Sequence, residues 1–123
     1  MSEIIVLLAI IQVKHLIVDF PLQTPFQYKN KGTLGHPGGL LHAGLHGVTT
    51  ALILLFYTSA PWAVALASVE AFSHYWIDWG KMNLNRIMGW GPKTHEEFWW
   101  LLGFDQFLHQ IIYLGLVAIL VSM

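Results

Sequence analysis

Carboxylates and imidazoles recur at intervals of four residues in four separate stretches of the chain. The nine residues are His15 and Asp19, His42 and His46, Glu70, His74 and Asp78, and Asp105 and His109. Four residues of an α-helix turn about 400°, so side chains at this spacing project from one helix face. Several such faces turned toward one another would present the nitrogen and oxygen donors of a metal centre.

The number of these groups predicts two metal ions. A single ion takes roughly four to eight ligands, whereas two ions that share a bridging carboxylate, as in two-metal hydrolases, use more. Imidazole and carboxylate donors suit Zn²⁺, Mn²⁺ or Fe. The chain has no cysteine, which excludes disulfides and thiolate metal sites. We therefore predict that all nine residues bind the ions or orient the groups that do.

The chemistry expected of such a centre is hydrolysis of an ester or phosphoester, including lipid-linked ones. A metal-activated water would attack, and the ions would stabilise the charge that develops. Asp19, Glu70 or Asp105 is the predicted general base, and the sequence does not choose among them. Lys81 follows Asp78 by three residues and is either a contact for an anionic substrate or an ordinary surface charge.

Two further histidines lie outside the four-residue pattern. His36 and His95 fall in polar stretches rich in glycine, proline and lysine. We predict that both are ordinary surface residues, and His95 in particular serves as a control for the nine.

The elements that would position the site are four apolar segments. The chain is 55% hydrophobic and only 11% charged, and the segments cover residues 4–20, 38–57, 61–79 and 99–121. Each is about as long as the roughly 20 residues that cross a bilayer as a helix. The sequence thus predicts one all-α integral membrane domain over 1–123, a four-transmembrane-helix bundle with an intramembrane metal site.

The basic residues predict the orientation of this bundle. Those outside the apolar segments lie in the two long loops, 21–37 and 80–97, and the positive-inside rule makes these loops cytoplasmic. Both termini would then be outside, and the site would lie in the cytoplasmic half of a bacterial inner membrane. Residues 83–90 are predicted to lie flat on the membrane surface, and Lys14 to extend its amine toward it.

The charge balance limits the partners of the protein. A net charge of −1 gives no reason to expect nucleic-acid binding. The expected partners are the lipid bilayer and a lipid or anionic small-molecule substrate. The sequence does not indicate an oligomeric state.

The motifs also carry a resemblance that covers nearly the whole chain. The series H15-x-x-x-D19-F-x-L-Q, H42-x-x-x-H46, E70-x-x-x-H74-x-x-x-D78-x-x-K81 and D105-Q-x-x-H109 resembles a family of small bacterial inner-membrane proteins known only as a domain of unknown function. It is more distantly similar to membrane-bound metal-dependent hydrolases. The resemblance implies a multi-pass membrane protein with a hydrolase site and names no substrate.

Two other classes of function remain open at this point. A di-iron membrane oxidoreductase would use the same ligands to activate O₂ against a lipid chain, although the paired-histidine motifs of membrane hydroxylases are absent. A transport or binding protein would pass metal ions or protons along the ionisable groups. Against transport, the predicted ligands lie in one half of the bundle.

Overall fold

The computed structural model describes residues 2–123, which form an all-α structure of five helices. They are α1 (Glu3–Asp19), α2 (Pro25–Tyr28), α3 (Pro37–Leu54), α4 (Ala60–Met88) and α5 (Glu96–Ser122). Four of them are long, and the short α2 lies within the predicted 21–37 loop. The four apolar segments of the sequence therefore correspond to α1, α3, α4 and α5.

Local chemistry explains where the helices begin and end. Pro37 stands in the first turn of α3, where a missing N–H costs nothing. His36 is the N-cap, and its Nδ1 accepts a hydrogen bond from the Gly38 N–H at 3.0 Å. Gly89 ends α4 with a φ of 68°, the left-handed conformation that favours glycine. The helix α4 thus runs continuously to residue 88, and the prediction of a separate surface segment at 83–90 is wrong.

The four long helices form a closed ring. α1 packs against α3 and α5, and α4 packs against the same two helices, with the most extensive contact between α3 and α4. Gly47 permits that close approach, because a Cβ atom there would lie 2.9 Å from the Cβ of Ala71. Any larger residue at position 47 would push the two helices apart.

One end of the ring holds the apolar core. Its buried members are Leu7, Ile11, Leu54, Ala63, Leu66, Tyr113, Leu116 and Val117. They come from the first half of α1, the last turn of α3, the start of α4 and the second half of α5. The ionisable series occupy the opposite halves of α1, α3 and α5 and the middle of α4, so the bundle divides lengthwise into an apolar and a polar half.

The predicted four-transmembrane-helix bundle is wrong. Among residues 2–123 a single helix, Glu96–Ser122, is long and apolar enough to cross a membrane. α1 has only 17 residues and α3 has 18, two of them histidines, while α4 includes Glu70 and Asp78. The ionisable groups that form the site lower the apolarity of the helices that hold them. The orientation with both termini outside depended on four spans and is withdrawn with them.

Candidate metal centre

All nine residues with four-residue spacing converge in the polar half of the bundle. Each exposes 3% or less of its surface, although together they comprise four carboxylates and five imidazoles. Buried carboxylates are costly unless they are paired or bind a cation. The arrangement of the donor atoms therefore decides what the site can do.

The first cluster comprises Asp19, His42, His46 and His74, whose candidate donor atoms all lie within 4.8 Å of one another. Asp19 Oδ1 lies 3.0 Å from His42 Nε2 and 3.1 Å from His46 Nε2. It lies 3.4 Å from His74 Nε2. A tetrahedral Zn²⁺ site with bonds of roughly 2.0–2.1 Å has ligand–ligand distances of about 3.3–3.4 Å. The three distances from Asp19 Oδ1 are close to that geometry, so the four residues could hold one ion.

The second cluster comprises His74, Asp78 and His109, with Asp105 beside it. Asp78 Oδ1 and Asp105 Oδ1 each lie 3.5 Å from His109 Nε2. Within residues 2–123 these three atoms are buried and have no hydrogen-bond partner. Buried carboxylate oxygens that face an imidazole nitrogen in this way suit a divalent cation, or a proton, between them.

His74 belongs to both clusters. Its ring stacks between those of His46 and His109, with centroid distances of 3.7 Å and 4.0 Å. The Nδ1 atom of His74 is buried without a partner among the described residues. The two clusters are therefore neighbours that share a residue, and the expectation that they bind two ions stays a prediction.

A residue from α2 sets which ring nitrogen of neutral His42 carries the proton. His42 Nδ1 lies 3.1 Å from Gln27 Oε1, and an amide oxygen only accepts, so Nδ1 donates the hydrogen bond. In neutral His42 the lone pair is then on Nε2, which faces Asp19 Oδ1 and, at 3.2 Å, Asp78 Oδ2. A lone pair directed at two carboxylate oxygens is repulsive unless a proton or a metal ion lies between them.

His15 lies outside both clusters and supports Asp19. Its Nδ1 is 2.9 Å from the Tyr113 hydroxyl, and its Nε2 is 3.0 Å from Gln106 Oε1 and 3.2 Å from Asp19 Oδ2. Gln106 Nε2 also donates to Asp19 Oδ2 at 3.1 Å. Groups of this kind hold a metal-binding carboxylate in place and leave its other oxygen free for the ion.

Glu70 also lies beside the first cluster rather than in it. Its Oε1 forms a close ion pair with Lys14, accepts from the Tyr113 hydroxyl at 2.7 Å and lies 3.5 Å from His46 Nδ1. Lys14 is buried, with 7% of its surface exposed, so the prediction that it extends to the membrane surface is wrong. Lys14 and Glu70 neutralise each other and both lie beside Nδ1 of His46.

Two more lysines contact the second cluster. Lys31 Nζ donates to Asp78 Oδ2 at 2.9 Å, and Lys81 Nζ donates to Asp105 Oδ2 at 3.1 Å. Lys31 is buried, although its place in the long loop suggested a surface charge. Each carboxylate therefore offers one oxygen to a lysine and keeps Oδ1 facing His109.

The carboxyl groups of Asp19 and Glu70 are ionised at neutral pH, because their pKa values are low. Burial alone would raise the pKa of Asp19, but hydrogen bonds from His15 and the other histidines around it outweigh burial and hold the pKa far below its usual range. Burial likewise opposes ionisation of Glu70, but His46 and Lys14 lower its pKa to about 2. Both residues are thus in the form that binds or supports a cation.

Some residues of the site were missed by the sequence argument. Tyr113 lies four residues after His109, and Thr50 lies four after His46; both are buried on the same helix faces and could have been found by extending the spacing. Gln27 and Lys31 have no such signal, since they enter the site from α2 and the loop after it. His95 is exposed, as predicted.

Comparison with known families supports part of the resemblance. Residues 5–123 match the model of a family described as "Protein of unknown function (DUF3307)". No curated protein and no solved structure matches the chain. The match confirms the resemblance to a family without an assigned function, and the more distant similarity to hydrolases stays a prediction.

Proposed function

The chain belongs to the DUF3307 family of proteins of unknown function, and we propose that it is a metal-dependent hydrolase acting on an ester or phosphoester. One observation supports this above all others: two neighbouring clusters of imidazole and carboxylate donors share His74. Adjacent sites of this kind are typical of enzymes that hydrolyse such bonds with two ions. The distant resemblance of the motifs to membrane-bound metal-dependent hydrolases accords with the same class.

The two clusters would each hold one metal ion. Asp19, His42 and His46 would hold one ion, and Asp78 and His109 the other, with His74 between them. Ions bound there would supply a water acidified toward neutral pH and positive charge near the scissile bond. Gln27 and His15 fix the orientation of His42 and Asp19, so the donors are preorganised before an ion arrives.

Asp105 is the general base that the geometry favours. Asp19 is surrounded by histidines, and Glu70 is occupied by Lys14 and Tyr113. Asp105 keeps a buried, unpartnered Oδ1 among the described residues, and it lines a surface groove. A carboxylate in the wall of a groove and adjacent to the clusters can take a proton from an attacking water. Lys81 holds its other oxygen.

The same proposal places the protein in the bacterial inner membrane, with lipid as a partner. Its support is α5, which is long and apolar enough to cross a bilayer and exposes Trp100, Phe104 and Leu114. Exposed apolar side chains along a whole helix suit contact with lipid. Retention of the full chain in membranes washed with alkaline carbonate is the expected result, and release into the wash would remove this placement.

Activity and metal content test the hydrolase proposal together. The purified full chain should contain close to two equivalents of Zn or Mn and should hydrolyse bis-(p-nitrophenyl) phosphate or p-nitrophenyl acetate. Asp105→Asn should lower kcat by about 100-fold or more with the metal retained, whereas Glu96→Gln, on the exposed first turn of α5, should have no effect. Iron with O₂ consumption would replace the proposal with the oxidoreductase, and full activity in Asp105→Asn would remove Asp105 as the base.

A further inference from the structure

A cavity lies beside the second cluster, on the side away from the apolar core. It has a volume of about 270 Å³ and is bounded by the loop around α2, the last turns of α4 and the start of α5. Its lining residues include Lys31 and Lys81, the lysines that contact Asp78 and Asp105. An ammonium group has three N–H donors. Each lysine uses one on its carboxylate within residues 2–123, which leaves donors for an anion in the cavity.

Two of the side chains that line the same cavity carry an unpartnered acceptor. Gln23 and Asn85 line it, and Gln23 Oε1 and Asn85 Oδ1 are buried without a hydrogen-bond partner in the described part of the chain. Buried amide oxygens of this kind are costly unless something donates to them. A ligand that pairs with the lysines and also donates to the amide oxygens has an anionic group and, next to it, hydroxyl groups.

An apolar groove continues from this cavity between α4 and α5. Ile77, Leu84, Leu101, Phe104 and Leu108 form its walls. Lys81 lines both the groove and the cavity, and Asp105 lines the groove. A molecule with its anionic group at Lys81 can therefore extend an apolar chain along the groove without leaving the protein surface.

We propose that this combined site binds a phosphate ester of a hydroxylated alcohol that carries an apolar chain. The phosphate lies between Lys31 and Lys81, the hydroxyl groups donate to Gln23 and Asn85, and the chain lies in the groove. This assignment rests on the proposed hydrolase function and names its substrate class. Hydrolysis adds water across the P–O bond, breaks the bond to the alcohol oxygen and gives inorganic phosphate and the free alcohol, with one proton passing to that oxygen.

Binding measured by calorimetry separates this proposal from the hydrolase proposal. The probes are propyl phosphate, glycerol 3-phosphate and 1-octanoyl-glycerol 3-phosphate, each titrated into the Zn²⁺-loaded full chain. Glycerol 3-phosphate should bind about tenfold more tightly than propyl phosphate, because its hydroxyls satisfy the amide oxygens. The octanoyl ester should bind at least about tenfold more tightly again, because its chain is buried in the groove.

Four substitutions assign these preferences to residues. Lys81→Gln should weaken all three probes by about tenfold, and Lys81→Arg, which keeps the charge, should restore most of that affinity. Asn85→Leu should remove the preference for glycerol 3-phosphate over propyl phosphate. Lys93→Gln, on an exposed loop lysine, should leave the affinity for each probe unchanged.

The groove has its own pair of variants. Gly80 lines it, and a Cβ atom there meets nothing within 4 Å, so Gly80→Leu adds a side chain to the groove at an open position. It should weaken only the octanoyl ester. Gly103 on α5 is equally open and does not line the groove, so Gly103→Leu should leave all three affinities unchanged.

Equal affinity for the three probes, or affinities that Lys81→Gln leaves unchanged, would overturn the proposed substrate class. If the binding pattern holds but no ester is hydrolysed, the ligand site stands and the hydrolase proposal fails. If p-nitrophenyl substrates are hydrolysed but the probes bind without preference, the hydrolase stands and this substrate class is wrong.

Discussion

The Nε2 atoms of His42 and His74 face each other at 3.1 Å, and Asp19 Oδ1 lies within 3.4 Å of both. Gln27 Oε1 accepts a hydrogen bond from Nδ1 of His42, so in the neutral ring the Nε2 of His42 has a free lone pair. Two imidazole nitrogens and a carboxylate oxygen at these distances repel one another unless a proton or a metal ion lies between them.

Removing His74 should cost most of the bound metal. Among the described residues it is common to both clusters, so His74→Ala breaks the link between them and leaves at least one of them short of a ligand. Metal content of the purified variant, measured by mass spectrometry, should fall well below half that of the unchanged protein. His95→Ala, on an exposed side chain, is the control. A folded His74→Ala protein with full metal content would show that the ions lie elsewhere.

Stripping the metal should destabilise the bundle. Without ions, Asp78 Oδ1 and His74 Nδ1 have no partner in residues 2–123, and buried polar atoms without a partner are costly. We expect the melting temperature to fall by about 5 °C or more in strong chelator, since a loss of 1 kcal/mol shifts a domain of this size by several degrees. Adding Zn²⁺ should restore it. An unchanged melting temperature with all metal removed would indicate a proton relay instead of a metal centre.

Gln27→Leu tests whether α2 contributes to the site. The leucine keeps much of the volume but removes the acceptor for His42 Nδ1, so the ring is free to rotate or change tautomer. Loss of such a supporting group typically lowers metal affinity about 10–100-fold, which a competition titration with a chelator measures. Gln12→Leu, exposed on α1, is the matched control. Equal affinity in both variants would mean that His42 does not depend on Gln27.

Lys14→Met should be strongly destabilising on its own and much less so in combination. The single change leaves Glu70 buried without its lysine, for which about 3–5 kcal/mol is typical. Lys14→Met with Glu70→Gln removes both charges and should recover most of the lost stability. The free energy of unfolding in denaturant measures both variants, with the exposed Lys29→Met as control. Additive losses in the double variant would contradict a direct Lys14–Glu70 interaction.

The helices, and the nine residues that converge between them, could be predicted from the sequence for a simple reason. Spacing of four residues fixes a shared helix face whatever the tertiary structure, so His15 with Asp19 and Asp105 with His109 had to point the same way. The sequence could not separate roles within the set. His15 and Glu70 look like ligands by spacing, yet each lies beside the first cluster and supports a residue in it.

The prediction of four membrane-spanning helices was wrong. It rested on the apolar residues of four long segments, but of the helices in residues 2–123 only α5 is both long and apolar enough. Buried ionisable groups are compatible with a helix in a bilayer or in a bundle, and the spacing does not distinguish them. The third segment was likewise predicted to end at residue 79, because the polar residues after Trp79 gave no apolar pattern, whereas α4 continues to Met88.

By itself, the sequence determined that the chain is helical and that nine ionisable side chains share helix faces, because both depend on local backbone geometry. Only the tertiary structure decided that Lys14 and Lys31 are buried, that Gln27 orients His42 and that His74 joins the two clusters. Those facts depend on distances between residues that are far apart in the chain. The packing of the helices sets these distances, and the local spacing of residues does not encode them. The fold thus turned a list of candidate ligands into two neighbouring sites and the residues that hold them.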